Sequence, residues 1–282
     1  MGMKNNITWK RFKKNKLALL GTIILLILLL FSILAPLITT IDISKVDLSN
    51  ISSPPSKDHF LGTDEMGRDV FSRLIYGGRV SLLVGVVGTL IQMIIGVTLG
   101  AIAGYFGGAL DFIIMRLVDI FMCFPFFVIA ITMAALLGPN LWNVVIIIGL
   151  LSWTSIARIV RAEILTIKDM EYMQASKALG LNWAEIIIHH IIPNVMSSIL
   201  VASTLAIASG ILTESALSFL GLGVKLPQPS WGNMLSAAQN MSTLQNEWWQ
   251  WVPSGLCILL TVLSINFVGD GLRYALDPKI KD

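Results

Sequence analysis

The feature that most constrains this chain is a run without any charged residue from Leu17 to Ile38, preceded by a basic segment. A helix over this run, at about 1.5 Å per residue, is long enough to cross the roughly 30 Å hydrocarbon core of a bilayer. A cleavable signal peptide also begins basic and then apolar, but its apolar region is only about 7–15 residues long. We therefore expect residues 1–38 to form a basic cytoplasmic segment followed by a retained first transmembrane helix.

The composition excludes most soluble classes. Hydrophobic residues make up 55% of the chain and charged residues only 13%, which is typical of a polytopic membrane protein. The net charge of +3 gives no support for nucleic-acid binding. Cys123 and Cys257 lie far apart within apolar runs, so packing in the membrane is favoured over a disulfide or a metal site.

Five further apolar runs make the expected fold an all-α polytopic membrane protein with six transmembrane helices. Most of the 20 Lys and Arg residues then lie on the side that holds both termini. Positive residues accumulate in cytoplasmic segments, so we expect both termini to be cytoplasmic. The later spans are expected at about 80–104, 112–137, 141–157, 195–220 and 254–272.

The same topology divides the chain into three regions. After residues 1–38 comes an external loop, 39–79, expected to end in an interfacial helix near Val70–Tyr76. Residues 80–282 form a five-helix core that contains a cytoplasmic segment, 158–194, and a second external segment, 221–253. The tryptophans near the last span are expected at the headgroup level, and contact with an external partner is the alternative.

Two spans carry features that predict their packing. Gly88, Gly96, Gly100 and Gly104 recur at multiples of four and predict a close helix–helix contact, since small residues let backbones approach. In the third span Pro125 predicts a kink, and Arg116 and Asp119 are spaced to form an ion pair on one helix face, for which we favour a structural role over a transport role.

The fifth span is unusually polar, and one stripe contains Ser203, Gly210, Glu214 and Ser218. An acid at mid-membrane depth costs a few kcal/mol on insertion scales, so it faces protein or water rather than lipid. The stripe therefore lines a wet translocation path, or Glu214 is a hydrogen-bonding or protonated acid between helices. Both interpretations place this face in the interior of the bundle.

The external loop carries a cluster of charges, including Asp64, Glu65, Arg68, Asp69 and Arg73. The cluster resembles an acid/base or metal site. Only His59 accompanies the carboxylates, however, and we favour a salt-bridged loop.

A polar island, Glu171–Asn194, separates the fourth and fifth spans. Gly180 is expected to end a first short helix, because glycine readily adopts the left-handed conformation that closes a helix. Asn182 and Glu185 have the spacing of a capping box and start a second short helix, expected to stop near Pro193. A short apolar helix outside the bilayer favours docking into a groove of another protein; an ordinary loop is the alternative.

The island resembles the cytoplasmic loop of ABC-transporter permeases, whose usual form is Glu-Ala-Ala, three residues, Gly and a stretch ending in Leu-Pro. Gln174 replaces the glutamate of this motif and Ser176 replaces its second alanine, while Gly180 and Pro193 match its glycine and proline. Other segments resemble the dipeptide, oligopeptide and nickel branch of these permeases, so the resemblance covers nearly the whole chain. They are Asn15–Leu19, Gly62–Arg73, Ser218–Leu235 and Gly269–Arg273.

The resemblance implies a type I ABC importer permease fold in a prokaryotic cell membrane, with this chain as a non-catalytic subunit. The implied partners are a second homologous permease, two cytoplasmic ATPase subunits that bind ATP and Mg²⁺, and an external solute-binding protein. In that family the short helix after the glycine docks on the ATPase. The expected coupling residues are Gln174, Ala175, Ser176, Gly180, Asn182, Trp183, Glu185, Ile187, His190 and Pro193. The candidate contacts with the binding protein are Asp64, Arg68, Asp69 and Trp231.

The sequence contains no phosphate-binding loop of the GxxxxGK[ST] type, so ATP is expected on the partner and no cofactor on this chain. A metal site at His189–His190 is disfavoured, because adjacent helical residues point in different directions. The rival interpretations are an intramembrane enzyme using Glu214 with His189 or His190, and an ATP-independent channel or secondary transporter. Peptide is the first choice of cargo, and nickel or a metallophore complex is the second.

Overall fold

The computed structural model describes residues 9–276 of the 282-residue chain. The predicted basic positions Lys4, Lys279 and Lys281 lie outside the described residues. Within 9–276 the chain is mostly helical and forms no β-strand, in agreement with the expected all-α fold. In chain order the helical segments are α1 (Lys16–Ile33), α2 (Ala35–Ile38), α3 (Val70–Phe106), α4 (Gly108–Cys123), α5 (Phe126–Leu137), α6 (Leu141–Ile167), α7 (Glu171–Ala178), α8 (Trp183–Glu185), a π-helical turn (Ile186–Ile191), α9 (Ile192–Phe219), α10 (Trp231–Leu235), a 3₁₀ turn (Ser236–Gln239), α11 (Met241–Asn246) and α12 (Trp248–Leu276).

Five helices are long and apolar enough to cross a membrane: α1, α3, α6, the continuous helix Trp183–Phe219, and α12. A sixth crossing results if α4 and α5, which meet at an angle of 83°, are counted together. This agrees with the six predicted spans. We call the end with loops 39–69 and 220–247 the long-loop end, and the end with residues 168–192 the short-helix end.

The chain breaks between α4 and α5 at the proline for which the sequence predicts a kink. Phe124 is extended, with ψ 139°, because the residue before a proline disfavours the helical conformation. Pro125 then serves as the N-cap of α5. The result is a sharp turn rather than a gentle kink.

Helices α3 and α6 run parallel and touch along the predicted glycine stripe. A Cβ atom added at Gly96 would lie 2.8 Å from the carbonyl oxygen of Trp153, and one at Gly100 would lie 2.6 Å from that of Ala157. No side chain fits at these separations, so the stripe is confirmed as a close contact between two spans. Helix α12 packs on α1 in a similar way, with Gly21 against the backbone of Ser264.

Two helices begin earlier than the sequence predicts. Helix α3 starts at Val70, so the expected interfacial helix 70–76 is its first part rather than a separate element. The carboxylate of Asp69 caps it by accepting the Ser72 N–H at 2.8 Å. Helix α12 starts at Trp248 and includes Pro253, which near a helix start removes only one backbone hydrogen bond.

The prediction that the second short helix stops near Pro193 is wrong. Residues Ile186–Ile191 form a π-helical turn in which the Ile192 N–H donates to the carbonyl of Ile187, and α9 follows directly. Proline lacks an N–H and cannot extend a regular α-helical ladder, and a π-helical turn precedes it here. The short helix and the fifth span therefore form one helix, Trp183–Phe219.

Candidate functional site

The short-helix end carries a knob, which we define as residues 171–192. Gly180 ends the first helix with φ 80°, the left-handed conformation that the sequence predicts for it. The side chain of Asn182 accepts the Glu185 N–H at 2.9 Å, and the carboxylate of Glu185 accepts the Asn182 N–H at 3.1 Å. The predicted capping box is thus confirmed, and it sets the direction in which the second short helix leaves the turn.

The inner face of the knob packs on the bundle. Met173, Ile186 and Ile191 are fully buried in one hydrophobic cluster with Ile164 and other residues of α6. The ring of Trp183 also lies 5.7 Å from that of Phe106 at the end of α3. The knob is therefore seated on two spans, and a force on it reaches both.

The outer face of the knob is apolar and exposed. Leu179 is 81% exposed, Ile188 57% and Trp183 56%. Unlike the exposed leucines of α1, which lie along a membrane span, Leu179 lies in the turn between α7 and α8, and Trp183 and Ile188 lie in the first turns of the helix Trp183–Phe219. An exposed apolar patch of this kind marks a site of interaction with another protein or with the membrane.

Of the ten predicted coupling residues, seven are exposed, two are buried and one is partly buried. Ser176 is buried and donates to the Tyr172 carbonyl at 2.8 Å, and Ile187 is buried against α6. His190 is partly buried. The exposed members are Gln174, Ala175, Gly180, Asn182, Trp183, Glu185 and Pro193.

Sequence reasoning missed Leu179 and Ile188, the two residues that expose the largest fraction of an apolar side chain on the knob. The available signal was their place next to the helix break: a leucine directly before the closing glycine has little of the helix left to pack against.

A cavity of about 470 Å³, which we call the interior cavity, lies between α3, α6, α9 and the break between α4 and α5, and it opens at that break beside the exposed side chains of Phe121, Met122 and Phe124. Among its lining residues, all in the described part of the chain, none is charged. Hydroxyl and amide groups alternate there with apolar side chains. The polar members are Gln92, Ser152, Thr154, Ser155, Ser209 and Thr213.

Of the four predicted path residues, only Gly210 borders this cavity. Ser203, Glu214 and Ser218 are buried on a different side of α9, and Ser209 and Thr213 face the cavity instead. Because adjacent residues on a helix point about 100° apart, a stripe one residue away from the true lining faces a neighbouring helix. The stripe read from the sequence lies in the interior, as both interpretations require.

Glu214 occupies a closed polar cluster between α9 and α3. Its side chain is fully buried, and its two carboxyl oxygens accept hydrogen bonds from Ser218 Oγ at 2.7 Å and Ser81 Oγ at 2.9 Å. This geometry matches an acid that bonds neighbouring helices rather than one that lines a wet path.

The long-loop end is held together by buried charges. Arg68 Nε donates to Asp64 Oδ2 at 2.7 Å, and His59 Nδ1 lies 2.9 Å from Asp69 Oδ1. The cluster is thus the salt-bridged loop that the sequence favours. The indole N–H of Trp231 donates to the Leu74 carbonyl at 3.0 Å.

Direct contact of a binding protein with all four predicted residues conflicts with this geometry. Arg68, Asp69 and Trp231 are each at least nine-tenths buried, so their side chains cannot form a docking surface in this conformation. Asp64 is partly buried and engaged by Arg68. The side chains of these residues instead form internal contacts that stabilise the long-loop end.

In the described part of the chain no group of three or more His, Cys, Asp or Glu side chains is placed to hold a metal ion. His189 is exposed, and its Nδ1 lies 3.3 Å from the carbonyl oxygen of Glu185.

A bundle with five or six crossings, a cavity between its helices and an exposed apolar knob at one end fits a multi-pass membrane transport protein. Residues 96–282 match the family described as "Binding-protein-dependent transport system inner membrane component". Residues 6–55 match "N-terminal TM domain of oligopeptide transport permease C". The chain belongs to the family of inner membrane components of binding-protein-dependent transport systems.

Named relatives are similar over nearly their whole length. The chain is 43% identical to the dipeptide transport system permease protein DppC of Alkalihalophilus pseudofirmus, over 97% of this chain and 89% of that protein. It is 42% identical to the oligopeptide transport system permease protein OppC of Bacillus subtilis, over 97% of this chain and 90% of that one. The di/tripeptide transport system permease protein DppC of Pseudomonas aeruginosa is 40% identical, over 97% and 92%.

Proposed function

We propose that this chain is a permease subunit of an ATP-driven ABC importer for di- and oligopeptides, and that it forms half of the translocation path. The observation that carries the proposal is the continuity of the helix Trp183–Phe219. One end of this helix forms the exposed knob, and its middle lines the interior cavity at Ala206, Ser209 and Thr213.

The knob is the coupling element in this proposal. Two ATPase subunits would bind ATP and Mg²⁺, and one of them would hold the exposed face formed by Leu179, Trp183 and Ile188. When the two ATPase subunits close on ATP, the knob moves together with the ATPase subunit that holds it. Because the knob shares a hydrophobic cluster with α6 and continues into α9, the movement reaches two walls of the cavity.

In the proposed orientation the short-helix end lies in the cytoplasm and the long-loop end lies outside. A solute-binding protein delivers the cargo to the long-loop end. A second, homologous permease completes the path. Its place is the side of the cavity formed by α4 and α5, where Phe121, Met122 and Phe124 border the cavity and are exposed.

The cargo is proposed to be a peptide rather than nickel. The named relatives are dipeptide and oligopeptide permeases. The neutral hydroxyl and amide lining of the cavity also suits a peptide, because such groups hydrogen-bond the main chain without selecting for the charge of its side chains.

The test is uptake by vesicles that contain the complete transporter. The vesicles contain the transporter with its knob facing the lumen. We expect labelled dialanine to enter only when ATP is inside these vesicles and the solute-binding protein is outside. Uptake without ATP would support the channel or secondary transporter instead. Uptake of radioactive nickel with no uptake of peptide would assign the cargo to the nickel group.

A further inference from the structure

A second cavity, of about 190 Å³, lies at the long-loop end and shares no lining residue with the interior cavity. Its walls come from the loop before α3, from the start of α3, and from α10 to α12. Unlike the interior cavity it is lined by charged side chains, including Asp64, Glu65, Arg68 and Arg73.

Two buried guanidinium groups border this cavity and share a single carboxylate. Arg68 is 6% exposed and Arg73 3%. Arg68 Nε donates to Asp64 Oδ2 at 2.7 Å, and Arg73 Nε lies 3.5 Å from the same oxygen. The other oxygen of Asp64 accepts the backbone N–H groups of Met66 and Arg68, both at 2.9 Å. Each carboxylate oxygen of Asp64 therefore already has two partners.

The two terminal nitrogens of Arg68 have no hydrogen-bond acceptor among residues 9–276. Those of Arg73 are different, because Nη1 donates to the carbonyls of Ile43 at 3.0 Å and Pro227 at 3.1 Å. Glu65 borders the cavity as well, but it is exposed and forms no ion pair with a described residue. A buried guanidinium with its fork of donors turned to a cavity is suited to a carboxylate.

We propose that this cavity binds the carboxyl-terminal carboxylate of a short peptide on the external side of the membrane. The inference rests on the proposed function for the identity of the cargo, and it adds a site outside the interior cavity. The cavity is smaller than the roughly 300–1,000 Å³ of pockets that enclose a drug-sized ligand, so it holds one end of a peptide.

The remaining lining fits the rest of a terminal residue. Gln239 and Asn240 border the exposed rim, where the Gln239 Oε1 and Asn240 Nδ2 atoms are left for the peptide group, because Gln239 Nε2 donates to the Phe219 carbonyl and Asn240 Oδ1 accepts the Ser242 N–H. Met234 and Leu226 give an apolar wall for the terminal side chain. Glu65 at the exposed edge is placed for the ammonium group of a dipeptide.

The test measures binding of labelled dialanine to the purified transporter complex in the absence of the solute-binding protein. We expect dialanine amide, which lacks the carboxylate, to bind at least about tenfold more weakly, because hydrogen bonds to charged groups contribute most. Arg68→Met should weaken dialanine binding to a similar extent. Lys225→Met removes an exposed positive charge from the same end, outside this cavity, and should leave binding unchanged.

Arg68→Met also removes a partner of Asp64, so a second variant separates binding from folding. Ala237→Leu fills the cavity and leaves the Asp64–Arg68 pair in place, and it should abolish binding without lowering the unfolding temperature. Leu212→Trp adds bulk at an exposed position of α9 outside both cavities and should retain this binding.

Equal binding of dialanine and its amide would overturn the proposal, and so would unchanged binding in Ala237→Leu. If Arg68→Met spared dialanine binding and weakened the docking of the solute-binding protein, the carboxylate would belong to that protein and the proposal would be wrong. Peptide uptake by the wild-type transporter separates this failure from failure of the proposed function.

Discussion

Ser81 Oγ on α3 donates a hydrogen bond to Glu214 Oε2 on α9 at 2.9 Å, and the same Ser81 Oγ accepts the backbone N–H of Trp231 at 3.1 Å. Ser218 repeats the arrangement, since its hydroxyl donates to Glu214 Oε1 at 2.7 Å and accepts the Val224 N–H at 3.2 Å. One buried carboxyl group thus orients two hydroxyls that hold the outer segment, residues 221–232, against two spans.

Replacement of Glu214 tests this arrangement. Glu214→Ala leaves two buried hydroxyls without an acceptor, and each unsatisfied group costs about 1–3 kcal/mol. We expect a lower unfolding temperature of the detergent-solubilised complex. Asp58→Ala, an exposed acid at the same end, is the control and should have no effect. An unchanged unfolding temperature in Glu214→Ala would show that the cluster does not stabilise the fold.

The contact between α3 and α6 predicts a contrast between two glycines. Gly96→Ala places a Cβ 2.8 Å from a backbone oxygen of α6, so it should destabilise the bundle by about 1–3 kcal/mol. At Gly255, in α12, the nearest atom is 3.5 Å away, and alanine gains up to about 1 kcal/mol of helix propensity. Thermal unfolding of the two variants should move in opposite directions, and equal shifts would contradict the packing argument.

The interior cavity predicts a block of transport without loss of coupling. Ser209→Trp fills space between α9 and α6, so peptide uptake should fall to the level of vesicles without ATP while ATP hydrolysis continues. Leu212→Trp adds a similar bulk to an exposed position of the same helix and should leave uptake intact. Normal uptake by Ser209→Trp would place the path elsewhere.

Gly180 should matter for coupling rather than for insertion. Its φ of 80° costs a β-branched residue about 1–3 kcal/mol, although no atom lies within 4 Å of an added Cβ. We expect Gly180→Val to redirect the second short helix and to separate ATP hydrolysis from uptake. Gly221→Val introduces a β-branched residue at a similar φ of 78°, also with no atom within 4 Å of an added Cβ, in a turn at the long-loop end, and serves as the control. Coupled transport by Gly180→Val would argue against the role of this turn.

Much of the fold could be predicted because its signals are local. The uncharged runs, the glycine stripe of α3, the turn at Gly180 and the Asn182–Glu185 capping box each depend on residues close in sequence. Long-range packing was less accessible. The continuity of the helix through Pro193 depends on a π-helical turn, whose wider hydrogen bonding has no signature in composition.

At the sites too, features set by residues close in sequence could be predicted, and features set by long-range packing could not. The exposure of most of the predicted coupling residues follows from the turn at Gly180, whereas the burial of Ile187 depends on where α6 lies. Glu214 could be placed in the interior from its chemistry, yet its partner Ser81 is distant in sequence. Arg68 and Trp231 were expected at a docking surface, but the structure pairs Arg68 with Asp64 and buries Trp231 against Leu74 and Gly78 of α3.

The contact of the knob with an ATPase subunit is the central claim of this account. It can be measured by cross-linking from Ile188→Cys in the assembled transporter, in a background without Cys123 and Cys257. Leu48→Cys, an exposed position at the long-loop end, is the matched control. We predict that Ile188→Cys cross-links to the ATPase subunit and Leu48→Cys does not. An Ile188→Cys side chain that stays open to soluble maleimide in the complete complex, with no cross-link, would contradict the account.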